Sequence, residues 1–384
     1  MKILMIVFNQ VGRGTYWRAF NFAKNLAANG HDVSLIATSK HALRQISCKT
    51  IFGFTLVETP DLLPGMLRSG WDIWSTLSRI LWIGKKHFDI VHAFESRPVV
   101  IYPALIARQN GAKLIIDWCD YFGKGGSVEE RSNTVLRTIL RPVETYFENH
   151  FRTIADGSTV INSFLYIKAT NLGVKPSTIE IIKNGCNIQY KPIDKKEARV
   201  GLGIPPETPI IGYLGSLFQK DALFMAKAFN ILLDLMPDIK LLLIGNFNRQ
   251  INHLITKPAS LIFTDFVESE QVYRYLSACD ICWVPLMTTG ANRGRFPMKI
   301  NDYMTAGRPI IATDLEYVRD LFNEHNFGLI CRSEPEEFAD NSRQLILDKG
   351  RNHLLGKTAR EVAETVYNWT IIASQLELYY KSIL

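Results

Sequence analysis

The stretch RFPMKINDYMTAGRPIIATD, residues 295–314, concentrates residue types that can hold an anionic ligand. Pro297 suits the first turn of a helix, because its missing N–H would have no intrahelical partner there. Gly307, followed closely by a proline, suits the end of that helix. Lys299 and Asp302 are three positions apart and therefore share a face near the helix N-terminus. The spacing predicts a helix that begins with a cation and an acid side by side.

The loop TTGANRGR, residues 288–295, precedes this helix. Its glycines permit close approach of backbone, and Arg293 and Arg295 are suited to phosphate. An acid behind a phosphate site accepts hydrogen bonds from sugar hydroxyls, as acids do with ribose. A solvated helix with charges on its outer face is the alternative, but the concentration of these residue types favours a binding site.

Glycines also follow the first apolar run of the chain, as Gly12-Arg13-Gly14. A dinucleotide-binding fingerprint requires a further glycine at position 17, where this chain has Trp17. A nicotinamide-dependent oxidoreductase is therefore disfavoured. The loop can still offer backbone N–H groups to a phosphate, and a plain tight turn is the alternative.

Comparable signals follow apolar runs in the second half of the chain. Gly215 ends one run, and Lys220 lies near the start of the next helix, where its charge adds to the positive end of the helix. A solvated surface lysine is the alternative. Gly245 permits close approach of a flat ligand, and Phe266 and Val267 offer backbone groups in the same way. Neither of these last two signals is specific alone.

The elements that position these residues alternate between short apolar runs and amphipathic stretches. Strands, helix-length crossovers and near-continuous apolar strands indicate parallel sheets that are covered on both faces. The alternation restarts after residues 191–208, KPIDKKEARVGLGIPPET, which are rich in charge, Pro and Gly. We therefore predict two doubly wound α/β domains, residues 1–190 and 209–365, joined by a linker at 191–208.

Composition limits the class of protein. The 384 residues are 47% hydrophobic and 21% charged, which is typical of a soluble two-domain protein. No apolar run is long enough for a membrane-spanning helix. The opening MKILMIVFN is interrupted by Asn9, so it predicts a buried strand rather than a signal peptide. A net charge of +7 suits anionic partners such as nucleotides, diphosphates or acidic lipid surfaces.

The six cysteines lie at irregular positions, which does not indicate a disulfide framework. Cys279 and Cys282 form a CxxC pair inside an apolar run, without a second pair to complete a zinc site. We expect buried structural cysteines and a cytoplasmic location. Residues 62–88 combine tryptophans, leucines and basic residues, which makes them a candidate contact with a membrane or a long acceptor. An ordinary buried helix with a basic end explains them equally well.

With these motifs described, the chain resembles the GT-B fold retaining glycosyltransferases of group 1, a GT4-like family, through most of its length. Residues 295–314 resemble the family segment P-x-K-x-x-E-Y-x-x-x-G-x-P, with Asp302 where the family usually has glutamate. IIKNGCN resembles the element that closes the first domain. The last residues resemble the closing helices of the family, and this implies that helix 366–384 packs back on the first domain.

Two strand ends of the first half carry the same resemblance. FDIVHAF resembles a D-[VI]-[VI]-H-x-H strand, which His92 matches and Phe94 does not. LIIDWCDYFGKGG resembles a D-x-[HR]-D element, which Asp117 and Asp120 match while Cys119 replaces the usual basic residue. We interpret Asp120 as a candidate catalytic acid that orients or deprotonates an acceptor hydroxyl. A structural role as a cap of its loop explains it equally well.

The resemblance implies two Rossmann-like domains that face a cleft. It implies a nucleotide-diphosphate sugar donor held mainly by the second domain and an acceptor, a saccharide or lipid-linked saccharide, held by the first. Nucleic acid is not an expected partner, and neither a cofactor nor a DxD-bound metal is expected. The residues implied in donor binding are Lys220, Arg293 and Lys299 at the diphosphate, Asp302 at the ribose, the Gly12–Gly14 loop reaching the diphosphate across the cleft, and Phe266 and Val267 beside the base.

Departures from the family pattern leave two alternatives open. The first glutamate of the E-x7-E signature is Gly294 here, and a commonly present arginine after Gly215 is Ser216. The contacts to the donor sugar are therefore unassigned, and Arg293 or Arg295 is a candidate to compensate. The alternatives are a GT-B nucleotide-sugar epimerase and a non-catalytic partner subunit that kept the fold.

Overall fold

The computed structural model describes residues 1–41, 45–62 and 70–384. The predicted surface segment 62–88 therefore lies partly outside the described residues, at 63–69. The described chain divides into two compact units. The first comprises Met1–Asn184, Gly294–Phe296 and Trp369–Leu384, and the second comprises Gly185–Arg293 and Pro297–Asn368.

The strands of the described chain form two sheets. In chain order the strands are β1 (Lys2–Gln10), β2 (Asp32–Thr38), β3 (Ser47–Ile51), β4 (Phe54–Thr59), β5 (Ile90–Phe94), β6 (Lys113–Trp118), β7 (Gly157–Val160), β8 (Ile179–Ile181), β9 (Ile210–Leu214), β10 (Lys240–Ile244), β11 (Leu261–Phe263), β12 (Ile281–Val284), β13 (Ile310–Thr313) and β14 (Gly328–Cys331).

Helices connect these strands in both units. In chain order the helices are α1 (Tyr16–Ala28), α2 (Ile73–Ile83), α3 (Pro98–Gln109), α4 (Thr134–His150), α5 (Ser163–Asn171), α6 (Lys195–Val200), α7 (Gln219–Leu235), α8 (Ser269–Ser277), α9 (Gly290–Arg293), α10 (Lys299–Thr305), α11 (Glu316–Glu324), α12 (Pro335–Leu347), α13 (Lys349–Thr365) and α14 (Trp369–Ile383). None of the helices in the described ranges is long and apolar enough to cross a bilayer.

The strand orders confirm two doubly wound sheets. Over the described residues, the first unit has the order β3-β4-β2-β1-β5-β6-β7-β8 and the second has β11-β10-β9-β12-β13-β14. The chain changes its direction of travel between β1 and β5 in the first sheet, and between β9 and β12 in the second. Ligands of such sheets bind where the strand order reverses, beyond the carboxyl ends of the strands.

Burial explains why the strands read as continuous apolar runs. Ile3, Leu4, Met5, Ile6 and Val7 of β1 are all fully buried, because helices cover both faces of a parallel sheet. Polar side chains cap several of the helices that provide this cover. Asp72 accepts a hydrogen bond from the Ser75 N–H at the start of α2, at 2.7 Å, and thereby satisfies one of the unpaired donors of the first turn.

The closing helix α14 packs on the first unit. The Tyr379 hydroxyl donates to the Thr178 carbonyl at 2.7 Å, and Tyr380 Oη lies 2.6 Å from His92 Nδ1. The rings of Phe22 and Trp369 meet edge to face with their centroids 5.4 Å apart. These contacts place the side chain of His92 in a buried structural cluster.

Two regions differ from the predicted strand-helix alternation. Strands β3 and β4 form an antiparallel hairpin on the edge of the first sheet. Phe52 and Gly53 at its turn have φ values of 46° and 82°, as the tight turns of hairpins require. The predicted linker 191–208 contains α6 and belongs to the second unit, where Arg199 donates to Asp280 at 2.7 Å. Lys195 also pairs with Asp280, and Asp194 accepts from the Lys196 N–H at the start of α6, which together explain why this charged stretch is ordered.

Candidate functional site

Helix α10 carries the acid and cation that the sequence singled out in the second unit. The helix begins at Lys299, two residues after Pro297, and Gly307 ends it with φ at 61°. Asp302 Oδ1 accepts a hydrogen bond from the Tyr273 hydroxyl at 2.8 Å, and the side chain stays partly exposed. Burial raises the pKa of Asp302 to about 6, although the Tyr273 hydrogen bond and the charge of Lys299 oppose this rise. The carboxylate is therefore held in a fixed position beside the helix start.

Aromatic residues fix α10 against the end of β9. The Lys299 ammonium lies 3.7 Å from the centre of the Tyr213 ring. The Tyr303 hydroxyl accepts a hydrogen bond from the Leu214 N–H at 2.9 Å. A cation over an aromatic face loses side-chain freedom but remains charged. These contacts position Lys299 and Asp302 next to the loop that follows β9.

The glycine loops after β9 and β10 lie side by side. Gly215 and Gly245 have φ values of 85° and 123°, which L side chains rarely adopt. The Gly215 N–H donates to the Ile244 carbonyl at 2.9 Å, and Gly245 forms an isolated bridge with Asp265. Phe266 follows and is 78% exposed, so its ring is available to a ligand. Val267 next to it is partly buried.

The start of α7 adjoins the loop that follows β12. Lys220 is exposed in the first turn of α7. Asp221 is buried, and its Oδ1 accepts hydrogen bonds from the Met287 N–H at 2.8 Å and from Asn292 Nδ2 at 3.2 Å. Asp221 therefore ties the helix start to the loop, across the position where the strand order reverses. Asp221 directly follows Lys220 in the sequence and was not predicted to belong to the site.

Arg293 forms an ion pair within the second unit. Its Nε donates to Glu316 Oε1 at 2.6 Å, at the start of α11. Burial alone raises the pKa of Glu316, but the hydrogen bond and charge of Arg293 outweigh it, so that the pKa lies below its ordinary value. The predicted role of Arg293 at a diphosphate thus involves a guanidinium that Glu316 already orients, and it stays a prediction.

In the first unit, the loop after β1 lies beside the loop after β6. Gly12 and Gly14 have φ values of 80° and 54°, and Arg13 between them is exposed. A Cβ atom on Gly14 would lie 2.6 Å from Asn9 Nδ2, so the turn requires glycine there. The Thr15 hydroxyl lies 3.7 Å from Cys119 Sγ, which joins this loop to the residue that precedes Asp120.

Asp120 is surrounded by charges of both signs. Burial raises the pKa of Asp120 to about 6, while the cations Arg295 and Arg97 lower it. Arg295 and Gly294 belong to the first unit, and Arg295 donates to Glu130 Oε2 at 2.8 Å. An acid with a pKa near 6 can exchange a proton close to neutral pH. This pKa is compatible with the catalytic role predicted for Asp120, and that role stays a prediction.

The structure adds Glu95, which the sequence analysis missed. Glu95 directly follows β5, at the position where the strand order of the first sheet reverses, and it has φ at 76°. It is buried, and its Oε1 accepts hydrogen bonds from the N–H groups of Cys119 at 3.2 Å and Asp120 at 3.4 Å. A non-glycine residue in this region is a strained position of the kind found at functional sites. An acid directly after a strand, in FDIVHAFES, was the available signal.

Arg152 completes this cluster. It is fully buried, donates to Glu95 Oε2 at 3.1 Å, and stacks over the Trp118 ring with 4.0 Å between its guanidinium carbon and the ring centre. Burial raises the pKa of Glu95 to about 8 despite the charge of Arg152. Glu95 and Arg152 together hold the backbone of the loop that carries Asp120.

The cysteine prediction is confirmed for the CxxC pair. Cys279 and Cys282 are buried, and they pack against Gly212 of β9, where an added Cβ atom would lie 2.6 Å from Cys279 Sγ. Within the described residues no group of three His, Cys, Asp or Glu side chains is arranged to hold a metal ion. The pair is therefore part of the apolar core of the second unit.

Two family models match the chain. Residues 13–190 match the model described as Glycosyltransferase Family 4, and residues 208–348 match the model described as Glycosyl transferases group 1. Together the two matched segments span most of the chain. The first contains the strands of the first sheet except β1, and the second contains the strands of the second sheet, β9 to β14.

Comparisons with individual proteins of known sequence or structure are consistent with the two family matches. A protein of Bacillus subtilis (strain 168), TuaH, whose name refers to a glycosyltransferase of teichuronic acid biosynthesis, is 20% identical over 283 residues, which are 72% of this chain and 69% of that protein. Among solved structures, a sucrose-phosphate synthase from Thermosynechococcus elongatus superposes with a TM-score of 0.77 at 16% identity, covering 100% and 99% of the two chains. Anabaena HepE, solved with UDP-glucose, gives a TM-score of 0.71 at 19% identity and full coverage of both chains. These structures show the fold, two Rossmann-like domains as in the GT-B glycosyltransferases.

Proposed function

Because this chain belongs to the group 1 and family 4 glycosyltransferases, we propose that its second unit binds a nucleotide-diphosphate sugar donor at the carboxyl ends of β9 and β10. The observation that carries this proposal is the placement of Lys299 over the Tyr213 ring near the end of β9, on the same helix that holds Asp302 against the Tyr273 hydroxyl. A cation, an acid and exposed backbone at the reversal of strand order are the groups that a nucleoside diphosphate requires.

The diphosphate, the ribose and the base of the donor each have a matching group in this unit. The diphosphate meets Lys299, Lys220 and the backbone N–H groups of the Gly215 loop. Asp302 accepts hydrogen bonds from the ribose hydroxyls, since its carboxylate already has a fixed orientation. The base lies at Gly245, Phe266 and Val267, where one ring is largely exposed. HepE, solved with UDP-glucose, supports a donor of this class.

The first unit binds the acceptor in this proposal, and Asp120 takes the proton of the acceptor hydroxyl. The new bond forms between the acceptor oxygen and the anomeric carbon of the donor. The bond from that carbon to the diphosphate oxygen breaks, and the nucleoside diphosphate leaves with the electron pair. Cations and helix N-termini stabilise that charge without a DxD-bound metal. Retention of configuration is the expected outcome, and it requires the acceptor oxygen to attack the anomeric carbon from the face that the nucleoside diphosphate leaves.

The acceptor class in this proposal is a saccharide or a lipid-linked saccharide. TuaH, whose name refers to the synthesis of teichuronic acid, supports a growing polysaccharide. A lipid-linked acceptor agrees with the predicted contact of residues 62–88 with a membrane, which involves exposed Ile73 and Leu81 in the described part of that segment. Arg293 at the diphosphate and the Gly12–Gly14 loop as a further contact to it are parts of the same proposal.

A thermal-shift panel with UDP, GDP, ADP and dTDP tests the donor site. We expect one nucleotide to raise the melting temperature, and Asp302→Ala to weaken its binding about tenfold through the lost charge-assisted hydrogen bonds. Asp234→Ala is the matched control, because Asp234 is an exposed acid on α7 of the same unit. Equal affinity of Asp302→Ala and the control would disprove the role given to Asp302.

Two further outcomes separate the remaining alternatives. A donor that is converted to another nucleotide sugar without an acceptor would indicate an epimerase. Failure of all four nucleotides to shift the melting temperature at millimolar concentration would favour a non-catalytic subunit. Transfer of labelled sugar to a saccharide acceptor, lost in Asp120→Asn with unchanged nucleotide binding, would support the proposed reaction.

A further inference from the structure

The carboxylate of Asp302 is held by a tyrosine from the neighbouring helix α8. Tyr273 is 5% exposed, and its hydroxyl donates to Asp302 Oδ1 at 2.8 Å. Burial and the charge of Asp302 keep the pKa of Tyr273 far above its ordinary value, so the hydroxyl stays protonated and always donates. A hydrogen bond to a charged group from a buried donor restricts the rotation of the carboxylate. Asp302 is therefore one member of a pair whose other member lies on a different element.

Residues 186–190, which we call the 186–190 segment, fix Tyr273 from two sides. The ring of Tyr190 stacks on the ring of Tyr273, with 4.3 Å between the centroids and 17° between the planes. The side chain of Asn187 forms a hydrogen bond with the Tyr273 hydroxyl. Because this hydroxyl donates its proton to Asp302, its oxygen accepts from the Asn187 amide. Both the ring plane and the direction of the hydroxyl are thus defined.

Backbone hydrogen bonds hold the 186–190 segment against α10 and α13. Arg360 on α13 donates to the carbonyls of Ile188 at 3.0 Å and of Tyr190 at 2.7 Å. The same guanidinium donates to the Thr305 carbonyl at the end of α10, at 2.6 Å. One side chain therefore joins the segment that holds Tyr273 to the helix that carries Asp302. This connection fixes the phenol and the carboxylate relative to each other.

The pairing determines which lone pairs Asp302 can offer to a ligand. An ionised carboxylate has about four lone-pair positions, and Tyr273 occupies one of them at Oδ1. The orientation that Tyr273 imposes sets the directions of the others. Hydroxyl groups donate along defined directions, so a misaligned carboxylate loses affinity for a ligand that carries them. A ligand without these hydroxyls does not sense the alignment.

We propose that Tyr273, supported by Asn187 and Tyr190, is a positioning residue that sets the preference of the donor site for ribose over deoxyribose nucleotides. This inference rests on the proposed binding of the donor ribose by Asp302. Tyr273 acts through the carboxylate alone. Loss of its hydroxyl therefore lowers the affinity for a ribonucleotide and leaves the affinity for the 2′,3′-dideoxy analogue nearly unchanged.

Titration calorimetry with UDP, GDP or ADP, whichever binds most tightly, and with its 2′,3′-dideoxy analogue tests this inference. In the unaltered chain we expect the analogue to bind about tenfold more weakly, because hydrogen bonds to a charged group are lost. Tyr273→Phe should reduce this ratio to about threefold or less, through a weaker affinity for the ribonucleotide. Tyr275→Phe is the matched control, since it makes the same chemical change two residues further along α8. Tyr190→Phe keeps the stacked ring and should retain the ratio.

The pH dependence of this ratio is a second readout, which a merely structural role would not change. Burial raises the pKa of Asp302 to about 6, while the Tyr273 hydrogen bond and the charge of Lys299 oppose the rise. Cys186 also interacts with Asp302, but burial holds the pKa of its thiol far above the ordinary value, so the thiol stays neutral. Arg360 reaches the other end of α10.

Removing the Tyr273 hydroxyl removes one of the effects that oppose the rise, so the pKa of Asp302 increases further. The preference for ribose should therefore disappear as the pH falls through about 6 in the unaltered chain, and at a higher pH in Tyr273→Phe. The phosphates of the nucleotide titrate in the same way in the analogue, and their contribution cancels in the ratio.

Equal ratios in Tyr273→Phe and Tyr275→Phe would overturn the inference. A parallel loss of affinity for the ribonucleotide and the analogue would also overturn it, because it indicates a structural role alone. Asn187→Ala leaves the phenol in place and should reduce the ratio by a smaller factor, so it serves as the second variant if Tyr273→Phe unfolds. Absence of nucleotide binding by the unaltered chain would refute the donor site and this inference together. Nucleotide binding with a ratio that neither variant changes would refute this inference alone.

Discussion

The carboxyl edges of the two sheets carry different chemical groups. In the first unit this edge is a buried network of charges, in which Glu95 pairs with Arg152 at 3.1 Å and Asp117 pairs with Arg18 at 3.0 Å. In the second unit it consists of glycine loops with positive φ, of the exposed side chain of Lys220, and of Lys299 and Asp302 on α10. The same strand topology thus supports two chemical environments.

The two carboxyl edges therefore differ in the chemistry that their groups can support. Buried charges shift one another's pKa values, so the first edge can hold or release protons near neutral pH. Backbone N–H groups and an exposed cation bind anions without a large desolvation cost. The first edge thus agrees with the proposed activation of an acceptor hydroxyl, and the second agrees with the proposed diphosphate site.

The largest expected effect is on the charged edge. Arg152→Met should lower the free energy of unfolding by about 3–5 kcal/mol, because it leaves Glu95 and Glu148 buried without their cation. Urea denaturation measures this loss. Arg332→Met is the control, since Arg332 is 71% exposed in its ion pairs with Glu334 and Glu337 and should cost almost nothing. Similar urea midpoints for both variants would show that the buried arginine and the exposed arginine contribute equally to stability, which would contradict this prediction.

A smaller effect is expected in the pH dependence of stability. Burial raises the pKa of Glu95 from 4.5 to about 8, so its contribution to stability is present below pH 4.5 and is lost as the pH rises through 8. Glu95→Gln lacks this titration and keeps an oxygen that can accept from the Cys119 N–H. The melting temperature of the unaltered chain should therefore fall relative to Glu95→Gln between pH 5 and pH 8. A constant difference across that range would contradict the raised pKa.

The smallest expected effect concerns the carboxyl edge of the second sheet. Lys220→Ala should weaken nucleoside diphosphate binding by about a few-fold at low salt and less at high salt, because an exposed charge is screened. The melting temperature without ligand should not change. Lys227→Ala provides the control, as it removes an exposed lysine two turns further along α7. Titration calorimetry at two salt concentrations would refute the role of Lys220 if both variants bound alike.

Local rules sufficed for much of the fold, including the helix that carries the proposed donor-binding residues. Continuous apolar strands and helix-length crossovers predicted two doubly wound sheets. The shared face of Lys299 and Asp302 and the end of α10 at Gly307 were predicted as well, but Pro297 lies two residues before the first helical residue rather than in the first turn. The hairpin of β3 and β4 was missed because Phe52-Gly53 is not a common turn pair. Glu95 was missed because its neighbours Cys119 and Arg152 are distant in sequence.

The sequence by itself determined which residues could meet a ligand, since the ends of parallel strands share one edge and helix periodicity sets which side chains share a face. Only the tertiary structure decided which charges are buried. Glu95 and Glu144 are buried because they pack against Arg152 and Arg131, and a buried charge depends on partners that local sequence does not specify.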